Sequence, residues 1–322
     1  MLRDSLTVVM PVFNEEAYIG ATIDALAAAV QESGFDAELV LVDDGSTDRS
    51  VDLARAHADG RLSLRIVSQP NRGRFEARRA GLEAAEGDSV LFVDARVRLV
   101  PGALRFVRPR LAAEPVWNGH VEVDADDAFG DFWRLLAALA WRDYFDDPRP
   151  TSYGLADFDR YPKGTTCFLA PRTLLLDAFA QFRSSYADIR LANDDTPVLR
   201  AVAAQQRIHL SPEFACVYSP RTNAASFFRH AMHRGTVFVD GHGTPESRFF
   251  PAVVAFFPLS AALLLRPRLL PAALAGCGLA AVAYGAFAGR PRRDLRTLGL
   301  VTPLYALGHG LGMWRGALEL LR

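Results

Sequence analysis

Four short apolar runs in the first 115 residues, each giving way to a turn and then to a helix-period segment, restrict the fold most. Leu6 to Val12, Glu38 to Asp43, Leu62 to Val67 and Ser89 to Asp94 read as strands, rich in Val, Ile and Leu. Glu15 to about Ser33, Thr47 to Ala58 and Arg74 to Ala85 lie between them with helical spacing, and Gly34 and Gly87 stop the first and third. Strands alternating with helices of this length build a parallel, doubly wound sheet. The second strand, Val40-Leu41-Val42, runs abruptly into Asp43-Asp44-Gly45-Ser46-Thr47-Asp48. Ligands of open α/β sheets sit beyond the carboxyl ends of the strands, so Asp43 and Asp44 stand where a ligand belongs. The same acids also suit a cap for the following helix.

After Pro115 the alternation loosens into a mixed α+β half. Phe129 to Phe145 reads as an amphipathic helix ahead of the Asp-Asp-Pro-Arg-Pro turn at 146–150, and Thr165 to Ala170 as a short strand. A helix over 194–206 opens with Asp194-Asp195-Thr196-Pro197, acids and proline where a helix start favours them. Asn223 to about Val237 reads as a helix carrying Arg229, His230, His233 and Arg234.

At Phe249 the composition changes. Phe249 to Leu265 and Leu269 to Gly289 are uncharged, and Leu298 to Leu320 carries only Arg315, His309 and Glu319. Each is a candidate membrane span by length, although Pro251 and Pro258 also suit the first to the interface and the third has an amphipathic reading. Arg290, Arg292, Arg293 and Arg296 outweigh the Arg266-Pro267-Arg268 loop. If all three segments span, the positive-inside rule puts the 290–296 loop and the N-terminal domain on the cytoplasmic side of a cell membrane. The expected division is therefore residues 1–240 as a catalytic-type domain and 249–322 as membrane-associated helices.

A net charge of −1 over 322 residues argues against nucleic acid as a partner. Three widely spaced cysteines, Cys167, Cys216 and Cys277, suggest neither a disulfide framework nor a zinc knuckle. Asp124-Ala125-Asp126-Asp127 reads as a helix cap, and His230 with His233 lacks a third metal ligand at convincing spacing.

Several of these stretches, in this order, resemble the family 2 glycosyltransferases, inverting enzymes of the GT-A fold, over about residues 6 to 235. Val9-Met10-Pro11-Val12-Phe13-Asn14-Glu15-Glu16 is similar to the opening strand and its P-x-x-N-E turn. Val42-Asp43-Asp44-Gly45-Ser46-Thr47-Asp48 resembles the nucleotide-binding turn. Asn71-Arg72-Gly73 with Glu76-Ala77-Arg78-Arg79-Ala80-Gly81 resembles the N-x-G…A-R-N-x-G segment. Leu91-Phe92-Val93-Asp94-Ala95-Arg96 sits where the D-x-D motif belongs, Lys163-Gly164-Thr165 to Arg172 resembles the acceptor-side strand, and Asn193-Asp194-Asp195-Thr196 falls at the family's E-D pair.

The resemblance implies a GT-A doubly wound, mostly parallel sheet followed by a C-terminal membrane helical segment. It implies inverting transfer from a nucleotide sugar, a UDP- or GDP-sugar, to a lipid-linked or envelope glycan acceptor at a membrane. Pro11, Asn14 and Glu15 would line the base and ribose pocket, Asp43 or Asp44 would accept from the base, and Arg78 would face the donor. Asp195 matches the catalytic base, with Asp194 beside it in place of the usual Glu. The Q-x-x-R-W of processive synthases is missing, which favours non-processive transfer. Polyprenyl-phosphate sugar synthases share the layout of a GT-A domain with a membrane anchor, but Arg74-Phe75-Glu76-Ala77-Arg78 departs from their glycine-rich loop.

The D-x-D position departs further. The family's acids hold Mg²⁺ or Mn²⁺ against the donor diphosphate; Asp94 retains the first position and Arg96 occupies the second. An arginine offers no lone pair to a metal and repels it. Arg96 would instead pair with Asp94 or reach the diphosphate itself, with metal dependence weakened. The alternative is a catalytically silent nucleotide-binding membrane subunit.

Overall fold

The computed structural model describes residues 5–245, 247 and 249–321. In chain order the elements are β1 (Ser5–Val12), α1 (Ile19–Ser33), β2 (Asp36–Asp43), α2 (Ser50–Ala58), β3 (Ser63–Ser68), α3 (Arg74–Ala84), β4 (Ser89–Val93), β5 (Val97–Leu99) and α4 (Ala103–Val107). There follow β6 (Trp117–Val123), α5 (Ala128–Ala140), α6 (Arg142–Phe145), β7 (Thr151–Tyr153), β8 (Cys167–Pro171), α7 (Arg172–Ala180), α8 (Asp195–Ala203) and β9 (Ile208–Tyr218). The last four helices are α9 (Ala224–His242), α10 (Phe250–Leu264), α11 (Leu270–Phe287) and α12 (Arg292–Glu319).

Two compact units result. Residues 1–122, 141–183 and 194–219 form the first; residues 123–140, 184–193 and 220–322 form the second, which takes in α5 and α9 as well as the C-terminal helices.

The first unit is built on one sheet in the order β3-β2-β1-β4-β8-β6-β9-β5, with β7 paired to β9. β3, β2, β1 and β4 are parallel, as the alternation predicts. The β4–β8, β8–β6, β9–β5 and β9–β7 pairings are antiparallel, so a parallel half is joined to an antiparallel one. The late strands are legible only in part, because His209, Ser211, Pro212 and Glu213 interrupt the apolar residues of β9 and β5 and β7 have three residues each. β1 is buried almost throughout, which explains the consecutive apolar residues Val8 to Val12. α1 presents Ile19, Ile23, Leu26 and Val30 to this core at helical spacing, and Leu39, Leu41, Leu91 and Val93 meet it from the strands.

The second unit is helical. Phe129 to Phe145, expected as one helix, breaks at Trp141 (φ −127°, ψ 51°), where α5 ends and α6 begins. Asp127 caps α5, its Oδ1 accepting from the N–H groups of Phe129 (2.7 Å) and Gly130 (2.8 Å), as the sequence suggests. α12 packs along α9 at a crossing without side chains, since a Cβ on Gly312 would meet the Met232 carbonyl and one on Gly235 the His309 carbonyl. At its start α12 is tied to α5: Asp131 takes Arg134 (3.0 Å) and Arg293 (3.2 Å), and Asp294 takes Arg134 (3.0 Å).

Of the three apolar segments, only Pro267–Phe287 is, among the described residues, long and apolar enough to cross a membrane, and it is mostly exposed. α10 has 15 residues and contains Pro258. α12 is the packing partner of α9 and α5, with Val301 in a core with Phe132 and Phe227 and Met313 in one with Val239 and Val253.

Candidate active site

All ten residues singled out by the sequence lie in the first unit, and the structure sorts them into three groups. The first is the turn pair at the ends of β1 and β2, where Val12 and Asp43 are in register. Asn14 adopts a left-handed backbone (φ 55°), a conformation its short amide side chain tolerates. Its Oδ1 accepts from Thr47 N at 2.8 Å, while Asn14 N donates to Ser46 Oγ at 3.1 Å, so the two turns are stitched together. Glu15 N donates to Ser50 Oγ (2.7 Å), and Asp43 Oδ1 accepts from Ser46 N (2.8 Å). Gly45 is required twice over, by its φ of +83° and because a Cβ would lie 3.0 Å from Asn71 N.

Asp44 turns inward. It is 4% exposed, with Oδ1 accepting from Gln69 Nε2 (2.7 Å) and Arg72 N (2.8 Å) and Oδ2 from Gly73 N (2.9 Å). The choice between Asp43 and Asp44 therefore narrows: Asp44 is committed to the 69–73 loop that launches α3, and Asp43 is the acid left facing the strand end.

The second group is an ion cluster around Arg78. Expected to face a donor, Arg78 is instead 2% exposed, with Nη2 bonded to Asp94 Oδ1 (2.7 Å) and Nη1 to Asp194 Oδ2. Asp195 Oδ1 stands 3.6 Å from the same Nη1, and Arg74 Nη2 stands 3.7 Å from Asp194 Oδ1. One buried guanidinium thus gathers three carboxylates from β4's end and from the start of α8. The environments drive the adjacent acids apart. Burial, reinforced by the charge of Asp195, pushes the Asp194 carboxyl up. Burial acts on Asp195 too, but Arg78, Arg74 and the Thr165 hydroxyl outweigh it and hold that carboxyl below its ordinary range. Asp195 is also the most open of the three, its side chain 38% exposed against 6% for Asp194.

The third group centres on Arg96. It pairs with Glu15, Nε to Oε2 at 2.7 Å, and not with Asp94. Its guanidinium lies over the Tyr18 ring, 4.1 Å from the centroid, and its Nη1 is buried without a hydrogen-bond acceptor. Sequence reasoning missed Tyr18, which nothing near Arg96 in the chain announces. Thr165 was quoted within a motif but given no task; its hydroxyl donates to Asp195 Oδ1.

These residues do not fit a divalent cation as they stand. Asp94 is paired to Arg78, the second motif position is itself a cation, and no cluster of three metal-ligating side chains occurs among the described residues. His230, the other candidate, stacks edge-on against Trp133 at 4.9 Å in the second unit.

A mixed sheet with acids at the carboxyl ends of its parallel strands and a second acid pair at the start of α8 is the architecture of the GT-A fold. Residues 7–147 match the family model described as "Glycosyl transferase family 2". The undecaprenyl-phosphate 4-deoxy-4-formamido-L-arabinose transferase of Pseudomonas aeruginosa is 35% identical over 132 residues, 40% of this chain and 39% of that one. The match thus spans about two fifths of that relative's length. Two solved structures share the fold: S. aureus TarS 1–349 in complex with UDP-GlcNAc (TM-score 0.55, 18% identity, 98% of this chain and 90% of that one), and the mannosyltransferase PcManGT from Pyrobaculum calidifontis with GDP-Man and Mn²⁺ (TM-score 0.58, 20% identity, 96% and 86%).

Proposed function

We propose that this protein is an inverting glycosyltransferase that moves a sugar from a UDP- or GDP-sugar to a lipid-linked acceptor at a membrane surface. The observation that carries the reading is the meeting around Arg78 of Asp94 with the adjacent pair Asp194 and Asp195, which lies far from it in sequence. In a single displacement, the acceptor oxygen forms a bond to the anomeric carbon as the bond from that carbon to the diphosphate oxygen breaks. The acceptor's proton passes to the Asp195 carboxylate, and the nucleoside diphosphate leaves. Asp43 accepts from the base, with Pro11 and Asn14 beside it. Arg96 meets the diphosphate; its buried, acceptor-less Nη1 supports this, and Glu15 and Tyr18 hold it in place.

The relative from Pseudomonas aeruginosa favours a second reading of the acceptor, a polyprenyl phosphate. A phosphate oxygen is already ionised near neutral pH, and its attack needs no base.

The membrane placement draws on α11, a helix of about 27 Å at 1.5 Å per residue. The segment after it returns to the helices before it, since Arg293 and Asp294 pair with α5. α10 and α11 then enter from one side as a hairpin, and the arginine-rich 290–296 end puts that side in the cytoplasm.

Donor binding under chelation tests the site's charge arrangement. Wild-type protein in excess EDTA is expected to hold UDP- or GDP-sugar within a few-fold of its affinity with Mn²⁺, and Arg96→Ala to weaken binding about tenfold or more. Binding that vanishes in EDTA and returns with Mn²⁺ would restore the metal to this site and remove Arg96 from its role.

A further inference from the structure

Asp195 has two oxygens in unlike surroundings. Thr165, 1% exposed and two residues before β8, directs its hydroxyl at Oδ1, and its backbone N–H approaches the same oxygen at 3.4 Å. Arg78 Nη1 stands 3.6 Å from Oδ1 as well. Among the described residues no donor is bonded to Oδ2, which lies toward Gly164, where a Cβ would come within 4.0 Å of it. The carboxylate is therefore anchored by one oxygen, and the other is turned to the side where the chain carries no side chain.

We infer that Thr165 is a positioning residue for Asp195, fixing Oδ1 so that Oδ2 is the oxygen that receives the acceptor's proton. The inference rests on Asp195 acting as the base. A carboxylate pinned at one oxygen presents the other in a single orientation, which a proton transfer needs within hydrogen-bond reach. A hydroxyl in this place also favours the charged form. The charged groups around Asp195 are Arg78 and Arg74 from α3 and Asp194 from its own chain neighbour; the hydroxyl comes from the β8 side alone.

The test is a comparison of Thr165→Val, Thr165→Ala and Thr165→Ser in the full-length protein, with transfer to a hydroxyl acceptor followed across pH. Val and Ala are expected to lower kcat about tenfold or more with the donor KM within a few-fold. They should also move the acidic limb of the kcat profile to higher pH, because Asp195 loses a bond to its charged form; Ser should restore both. Equal losses in all three variants with an unmoved limb, wild-type rates in Val, or loss of fold in both Val and Ala would each overturn the inference. Asp195→Asn separates the two levels. If it keeps near-normal turnover, the base assignment itself fails, whereas an inactive Asp195→Asn beside an unaffected Thr165→Val removes Thr165 alone.

Discussion

Asp195→Asn is expected to cut transfer to a hydroxyl acceptor by about 10²-fold or more while donor affinity stays within a few-fold. The amide keeps the shape and can still accept from Thr165, but it cannot take a proton. Asp194 is poorly placed to substitute, since it is buried, bonded to Arg78 and beside Arg74. The same variant discriminates between acceptors. With a polyprenyl phosphate the attacking oxygen brings its own charge, and the loss should be less than about tenfold. Near-normal turnover on a hydroxyl acceptor would contradict the role of Asp195.

The next large effect is on stability. Arg78→Met removes the cation from among Asp94, Asp194 and Asp195 while keeping most of the side chain's length. Breaking a buried ion pair by deleting one partner costs about 3–5 kcal/mol, because the remaining charges are left uncompensated. The sign with pH follows from Asp195. Its folded-state pKa lies below the ordinary value, so its stabilisation is fully present above that ordinary value and is lost as pH falls through the folded one. Without Arg78 the carboxyls hold protons more readily in the fold, and protonation relieves the repulsion. Thermal unfolding of the two proteins should therefore differ most near pH 7.5, and the gap should narrow toward pH 5. An unchanged melting temperature at pH 7.5, or a gap that widens in acid, would mean that Arg78 does not balance these acids.

The strands and helices of the first half were legible because each local signal agreed with the sheet it builds. Val8 and Val9 on β1 and Val40 to Val42 on β2 are apolar without alternation because both faces are covered. The antiparallel half was less so. β9 pairs with β5 and β7, segments remote in sequence, and no local pattern encodes such partners. The site divides in the same way. Motif order located Asp43, Arg78, Asp94 and the Asp194–Asp195 pair, but which charge faces which is a tertiary fact. Arg78 is engaged through both terminal nitrogens by acids 16 and 116 residues away, and Arg96 turns to Glu15 rather than to its near neighbour Asp94. Asp44 looked like its neighbour Asp43 in sequence, and only the 69–73 loop distinguishes them. The C-terminal segments were alike in composition, yet α12 has a helix partner in α9 and α11 is mostly exposed.

Sugar transfer from a nucleotide donor to a lipid-linked acceptor, as proposed, is tested directly by placing the full-length protein in bilayers containing bacterial lipid extract and supplying radiolabelled UDP- and GDP-sugars in turn. Label is expected to move from the aqueous to the organic-solvent fraction with a subset of these donors, and Asp43→Ala, which removes the proposed base contact, should abolish or strongly reduce that movement. Donors that bind but are never turned over, with every lipid fraction supplied, would instead mark a nucleotide-binding subunit without transferase activity.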